Sequence, residues 1–184
     1  QADSDLSEDA LRNLVEEYKA LTRATIGRDF PMQPREQLWG AMEAVWRSWT
    51  LKKAIDYRRV NRIADDMGTA VTVQGMVLGN LDERSGTGVL FTRNPLTGEA
   101  EPYGEYLARG QGEDVVSGSC TPQPLSALAG QLPAVHAQLL DSARTLEQQA
   151  RDAQDIEFTV QRGELFLLQT RSAKRTAAAA VRIA

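Results

Sequence analysis

Cysteine and histidine are almost missing from this chain: Cys120 and His136 are the only examples among 184 residues. One cysteine excludes an internal disulfide framework and any cysteine-rich zinc site, and one histidine excludes a multi-histidine metal centre. Aromatic residues make up only 6%. No apolar run approaches the ~20 residues of a membrane-spanning helix. The first residues lack the basic stretch and apolar core of a secretory signal. These absences, with the scarce cysteine, lead us to expect a cytoplasmic protein with no membrane partner. A net charge of −4 argues against general nucleic-acid binding. What remains is an ordinary globular composition, 42% apolar and 25% charged. A chain of this length buries about 70% of its unfolded surface, enough for one core or two small ones. Because it begins with Gln1 rather than Met, we expect a processed or excised piece.

The pattern changes near residue 66. Residues 1–66 read as helices and 67–184 as a lobe of strands and helices, giving an α+β fold. Ser7 suits an N-cap, with Leu6 and Leu11 as a hydrophobic staple. Leu11, Leu14, Val15, Tyr18 and Leu21 recur at helical spacing, and Gly27 suits a stop. Pro34 opens a second helix striped by Leu38, Met42, Val45, Trp46 and Trp49. Leu51, Ile55, Val60 and Ile63 mark a third, with Lys52, Lys53, Arg58, Arg59 and Arg62 as a basic set. In the second part, Ala70–Val77, Thr87–Thr92, Tyr103–Ala108 and Asp114–Val116 are strand candidates. A long helix from Leu132 to Ala150, a hairpin from Asp155 to Thr170 and an Ala-rich helix from Lys174 to Ala184 follow.

The hairpin is the most informative segment. Ile156, Phe158 and Val160 share one face; Asp155, Glu157 and Thr159 share the other. A two-residue turn at Arg162-Gly163 would move Gln169 to the apolar side. A three-residue turn, Gln161-Arg162-Gly163, places Gln169 opposite Asp155 with Arg171 on the same face, and sends Phe166 and Leu168 to the apolar side. We prefer the second register. It yields a face with two carboxylates about 7 Å apart, an amide and a guanidinium. That set suits Mg²⁺ shared with phosphate oxygens. The plain alternative is the exposed polar face of an amphipathic hairpin.

The glycine-rich Ser85-Gly86-Thr87-Gly88 precedes a strand rather than a helix, so it is neither a Walker loop nor a dinucleotide fingerprint. Arg93 follows that strand, within reach of either phosphate or solvent. Gly110-Gln111-Gly112-Glu113-Asp114 is a turn whose backbone suits either a plain bend or the edge of a nucleotide base. His136 reads as a helix histidine without catalytic neighbours, and Cys120 has no activating context.

Long strings in this chain resemble the pyruvate, phosphate dikinase family in its N-terminal nucleotide-binding region. They are Asp65–Gln74, Ser85–Pro95, Tyr103–Glu105, Gln111–Val116, Gln154–Thr159, Gln169–Arg171 and Lys174–Ala180. The resemblance covers nearly the whole chain and implies the second half of an ATP-grasp domain, with a mostly antiparallel sheet and flanking helices behind a helical segment. It implies a full enzyme that interconverts ATP, phosphate and pyruvate with AMP, diphosphate and phosphoenolpyruvate through a phosphohistidine. Asp155 and Glu157 would hold Mg²⁺ and the phosphates; Gln169 and Arg171 would contact nucleotide or phosphate. Glu113, Asp114 and Val115 would border adenine and ribose, with Gln74 and Glu105 in the same cleft.

No counterpart of the family's first ATP-grasp lobe or its phosphohistidine string is present, and Ser172-Ala173 replaces the more usual Asn-Gly. We therefore expect partners in the missing lobe, the phosphohistidine domain and the barrel domain, a homo-oligomeric full enzyme, and no turnover by this chain alone. The rival readings are a stand-alone binding module that lost the chemistry and a related water-dikinase or antibiotic phosphotransferase.

Overall fold

A computed structural model describes residues 6–117 and 120–184. The chain divides into two units, Gln1–Gln74 and Gly75–Ala184.

In the first unit, α1 (Glu8–Ile26) begins where Ser7 Oγ accepts from the Ala10 N–H at 3.2 Å. It ends at Gly27, whose φ of 76° is the left-handed conformation that lets its N–H reach back to the Arg23 carbonyl. Pro34 opens α2 (Pro34–Ser48), and α3 spans Lys52–Asn61. Neither α1 nor α2 has a buried residue: of the expected apolar stripes, Leu14, Met42 and Trp49 are half-buried and the rest are exposed. Among the described residues of this unit only Arg58 is buried, at 5% exposed. Its guanidinium lies 3.9 Å from the centre of the Trp49 ring, donates to Trp49 O and pairs with Asp65 Oδ1, each at 2.7 Å. One member of the expected basic set is thus a structural clasp.

The second unit is built on β1 (Gly86–Phe91), β2 (Tyr103–Ala108), β3 (Gln123–Pro124), β4 (Gln154–Gln161) and β5 (Glu164–Ser172). All pairs are antiparallel, in the order β3-β2-β1-β4-β5. The helices are α4 (Gly112–Ser117), α5 (Ser126–Gln131), α6 (Pro133–Ala150) and α7 (Ala177–Ile183). The fold class is α+β, as the sequence predicts. One sheet face packs Leu90, Tyr106, Ile156, Phe158 and Val160 against Leu128 of α5 and Val135, Leu139 and Ala143 of α6. Burying each large apolar side chain contributes roughly 1.5–3 kcal/mol.

The glycines of Ser85-Gly86-Thr87-Gly88 serve this packing. The rings of Tyr106 and Phe158 stack nearly parallel, 6.4 Å apart, across β1. A Cβ on Gly86 would overlap the Tyr106 ring, and one on Gly88 would meet Phe158 Cζ at 2.6 Å. Glycine at both places lets the rings close over the strand.

Three expectations are corrected. Residues 69–78 form no strand. Val71, Thr72 and Val73 have the right propensity, but a strand exists only where a neighbour pairs its backbone. Asp114–Val116 lies in the helix α4. There the Asp114 carboxylate accepts from the Gln111 N–H at 2.8 Å, closing the first turn. The hairpin has a two-residue turn, with Gln161 paired to Glu164. Arg162 and Gly163 both have positive φ, 54° and 80°, which suits a type I′ turn. Ser85 Oγ accepts from Arg162 N and the Arg84 carbonyl accepts from Gly163 N, so a neighbouring loop holds that turn. Leu165, not Phe166 or Leu168, packs against the core.

Candidate functional site

The turn alone would have sent Gln169 to the apolar side, but the ladder shifts between Glu157 and Phe158. Leu168 is the extra residue of a β-bulge, so Phe158 pairs with Leu167 while Glu157 pairs with Gln169 and Asp155 with Arg171. The polar face therefore forms with the expected membership and a different register. Gln169 stands opposite Glu157, not Asp155.

The rows extend across the sheet. Glu105, Val89, Glu157 and Gln169 are successive partners on β2, β1, β4 and β5. Tyr103, Phe91, Asp155 and Arg171 form the next row. Glu105 is thus on the carboxylate face, two strand spacings or about 10 Å from Glu157.

Asp155 is 7% exposed, whereas Gln169 and Arg171 are exposed and Glu157 is half-buried. Arg171 Nε donates to Asp155 Oδ2 at 2.8 Å, and its Nη2 lies 3.5 Å from Glu157 Oε1. The hydrogen bond to Asp155, then the charges of both carboxylates, raise the Arg171 pKa above the ordinary guanidinium value. Among the described residues no cluster of three histidine, cysteine or carboxylate side chains could hold a metal. Asp155 and Glu157 therefore suit a hard cation only if other oxygens complete its shell.

Other predicted residues fall elsewhere. Glu113, Asp114 and Val115 lie on α4, Glu113 exposed and the other two half-buried. Gln74 is an exposed residue of the first unit. Arg93 pairs with Glu147 of α6 at 2.8 Å, on the helix-covered side of the sheet. That pair lines a cavity of about 290 Å³ with Leu140 and Ala143. His136 is a half-buried residue of α6, and Cys120 is exposed.

Sequence reasoning missed the support beneath Asp155. Gln154 N donates to Thr92 Oγ1 at 3.0 Å, and Gln154 Oε1 accepts from Thr170 Oγ1 at 3.1 Å. A polar residue on the apolar side of an alternating strand was the available signal. Gln111 was also given no role of its own, though its side chain bridges to Gly79 and Asn80.

The α+β lobe has counterparts among nucleotide-binding proteins. The family model described as "Pyruvate phosphate dikinase, AMP/ATP-binding domain" matches residues 13–138. The chain belongs to that family. It is 54% identical over 183 residues to "Pyruvate, phosphate dikinase" of Clostridium symbiosum, covering 99% of this chain and 21% of that protein. It is 48% identical over 182 residues to "Pyruvate, phosphate dikinase 1, chloroplastic" of Arabidopsis thaliana, covering 99% of this chain and 19% of that protein. The chain thus spans about a fifth of the length of these curated relatives. Among the described residues no helix is long and apolar enough to cross a membrane.

Proposed function

We propose that this chain is the ATP-binding part of a pyruvate, phosphate dikinase. The full enzyme would interconvert ATP, phosphate and pyruvate with AMP, diphosphate and phosphoenolpyruvate through a phosphohistidine carried outside this chain. The observation that carries the reading is the convergence of Asp155, Glu157, Gln169 and Arg171 on one sheet face, in a chain whose relatives are dikinases.

The nucleotide lobe corresponds to residues 67–184, which follow the helical segment 1–66 in the sequence. Asp155 and Glu157 hold Mg²⁺ together with phosphate oxygens; the ion supplies charge neutralisation for phosphoryl transfer when bound. Arg171 keeps its bond to Asp155 and turns its remaining N–H groups to phosphate, a geometry that suits a guanidinium better than an ammonium. Gln169 contacts nucleotide or phosphate beside Glu157. Glu113, Asp114 and Val115 border adenine and ribose, and Glu105 serves the same cleft. Phosphoryl transfer depends on positioning and electrostatics, so this face acts only with the opposing lobe in place. The phosphohistidine and barrel domains complete the enzyme, which we propose to be a homo-oligomer. The cytoplasm is the proposed compartment, although the Arabidopsis relative is named chloroplastic.

The test is calorimetric titration of the intact polypeptide with ATP, with and without Mg²⁺. Binding that requires Mg²⁺ and weakens at least about tenfold in Asp155→Asn and Glu157→Gln is expected. Unchanged affinity in both variants overturns the assignment.

A further inference from the structure

Amide side chains hold the irregular segment before β1 from two directions. Leu78 N donates to Gln161 Oε1 at 2.7 Å. Gly79 N donates to Gln111 Oε1 at 3.3 Å, and Gln111 Nε2 donates to Asn80 Oδ1 at 3.2 Å. The backbones touch here, since a Cβ on buried Gly79 would overlap the carbonyl oxygen of Gly110.

The main chain of Gln111 is tied the other way. Its N–H donates to Asp114 Oδ2 at 2.8 Å, and its carbonyl accepts from the Asp114 N–H at 3.0 Å. Gln111 is therefore bound through its backbone to the first turn of α4 and through its side chain to Gly79 and Asn80. A side-chain amide offers a donor and an acceptor at one tip, which neither a carboxylate nor an ammonium does. Removing it leaves the buried Gly79 N–H without that acceptor, a cost larger than that of an ordinary lost hydrogen bond.

We propose that Gln111 is a positioning residue for recognition of the nucleotide's base and ribose. It sets Glu113, Asp114 and Val115 against the Leu78–Asn80 segment and so fixes one wall of the slot. This rests on the nucleotide-site reading above. Gln111 has no part in the carboxylate face, where Asp155 and Glu157 project from β4. Its loss should therefore weaken the hold on adenosine and spare the hold on polyphosphate.

The experiment compares MgATP with Mg-tripolyphosphate, a ligand without base or ribose, by calorimetry on the intact polypeptide. In Gln111→Ala, MgATP affinity falls about tenfold while Mg-tripolyphosphate affinity stays within about twofold. Asn80→Ala removes only the second bond from an exposed side chain. It shows the same selectivity at about threefold and keeps the proposal testable if Gln111→Ala does not fold. Equal weakening of both ligands, or no change for MgATP, overturns the proposal. Asp155→Asn separates the two levels. If it weakens both ligands while Gln111→Ala is not selective, only the role of Gln111 falls. If it weakens neither, the nucleotide-site reading falls and this inference with it.

Discussion

Arg171 stands directly across the β4–β5 ladder from Asp155, and its Nε donates to Asp155 Oδ2 at 2.8 Å. The pair is lopsided: the Asp155 side chain is 9% exposed and that of Arg171 is 55% exposed. Removing the arginine strands a nearly buried carboxylate, while solvent screening on the arginine side limits the loss. Arg171→Ala should cost about 1–2 kcal/mol of stability. Arg171→Ala combined with Asp155→Asn should cost less than the sum of the single changes. A double-mutant cycle by urea denaturation reads the coupling, and simple additivity would show that the pair contributes nothing.

Gly88 lies beneath Phe158 and against the backbone of Glu105. A methyl group there has no room, and neither the ring nor the paired β2 backbone can retreat without disturbing the core. Gly88→Ala should destabilise the second unit by about 1–3 kcal/mol. Phe158→Ala opens a cavity instead and should cost about 3–5 kcal/mol. A Gly88→Ala urea midpoint equal to that of the parent would contradict the packing described.

Arg58 is the clasp of the first unit, stacked on Trp49 and paired with Asp65. Arg58→Ala should lower stability by about 1–2 kcal/mol through loss of the ring contact and two hydrogen bonds. All three tryptophans, Trp39, Trp46 and Trp49, lie in the first unit, so their fluorescence reports on it directly. An unchanged fluorescence-detected unfolding curve would count against the clasp.

Asp152 is paired with Arg175, and that hydrogen bond leads the causes that lower its pKa below 3.8. A carboxylate whose folded pKa is depressed stabilises the fold fully above its unfolded value and loses that contribution as pH falls through the folded value. The contribution should therefore fade below about pH 4. Asp152→Asn should flatten the acid limb of the stability curve in that range and leave its slope near neutral pH unchanged. An acid limb as steep as the parent's would refute the linkage.

Much of the local structure is legible in the sequence because its causes are local. Ser7 caps α1 and Gly27 stops it through bonds made within one turn. Pro34 and Pro133 open α2 and α6 because a proline costs nothing where the helix has no donor to lose. The alternation of Ile156, Phe158 and Val160 with Asp155, Glu157 and Thr159 assigns the faces of β4, since the pleat has period two. Asp155 and Glu157 were placed on one polar face in this way. Gln169 and Arg171 were placed there through a three-residue turn, which the structure replaces with a two-residue turn and a bulge, and the family resemblance put Glu105 only in the same cleft.

Other features depend on partners distant in sequence. Strand propensity at Val71–Val73 finds no partner backbone, and no strand forms. The hairpin turn is held by Arg84 and Ser85, nearly eighty residues before it, and those bonds favour the tight turn over the three-residue loop. The Leu168 bulge then restores Gln169 to the carboxylate face, an adjustment that alternation alone cannot reveal. Periodicity, capping and propensity determined the helices α1, α2, α3, α6 and α7 and the polar face of β4, because these act within a few residues, but they missed the short helices α4 and α5. Only the tertiary structure decided the register and the partner of each charge, because packing and hydrogen bonds between distant segments set which backbones lie side by side.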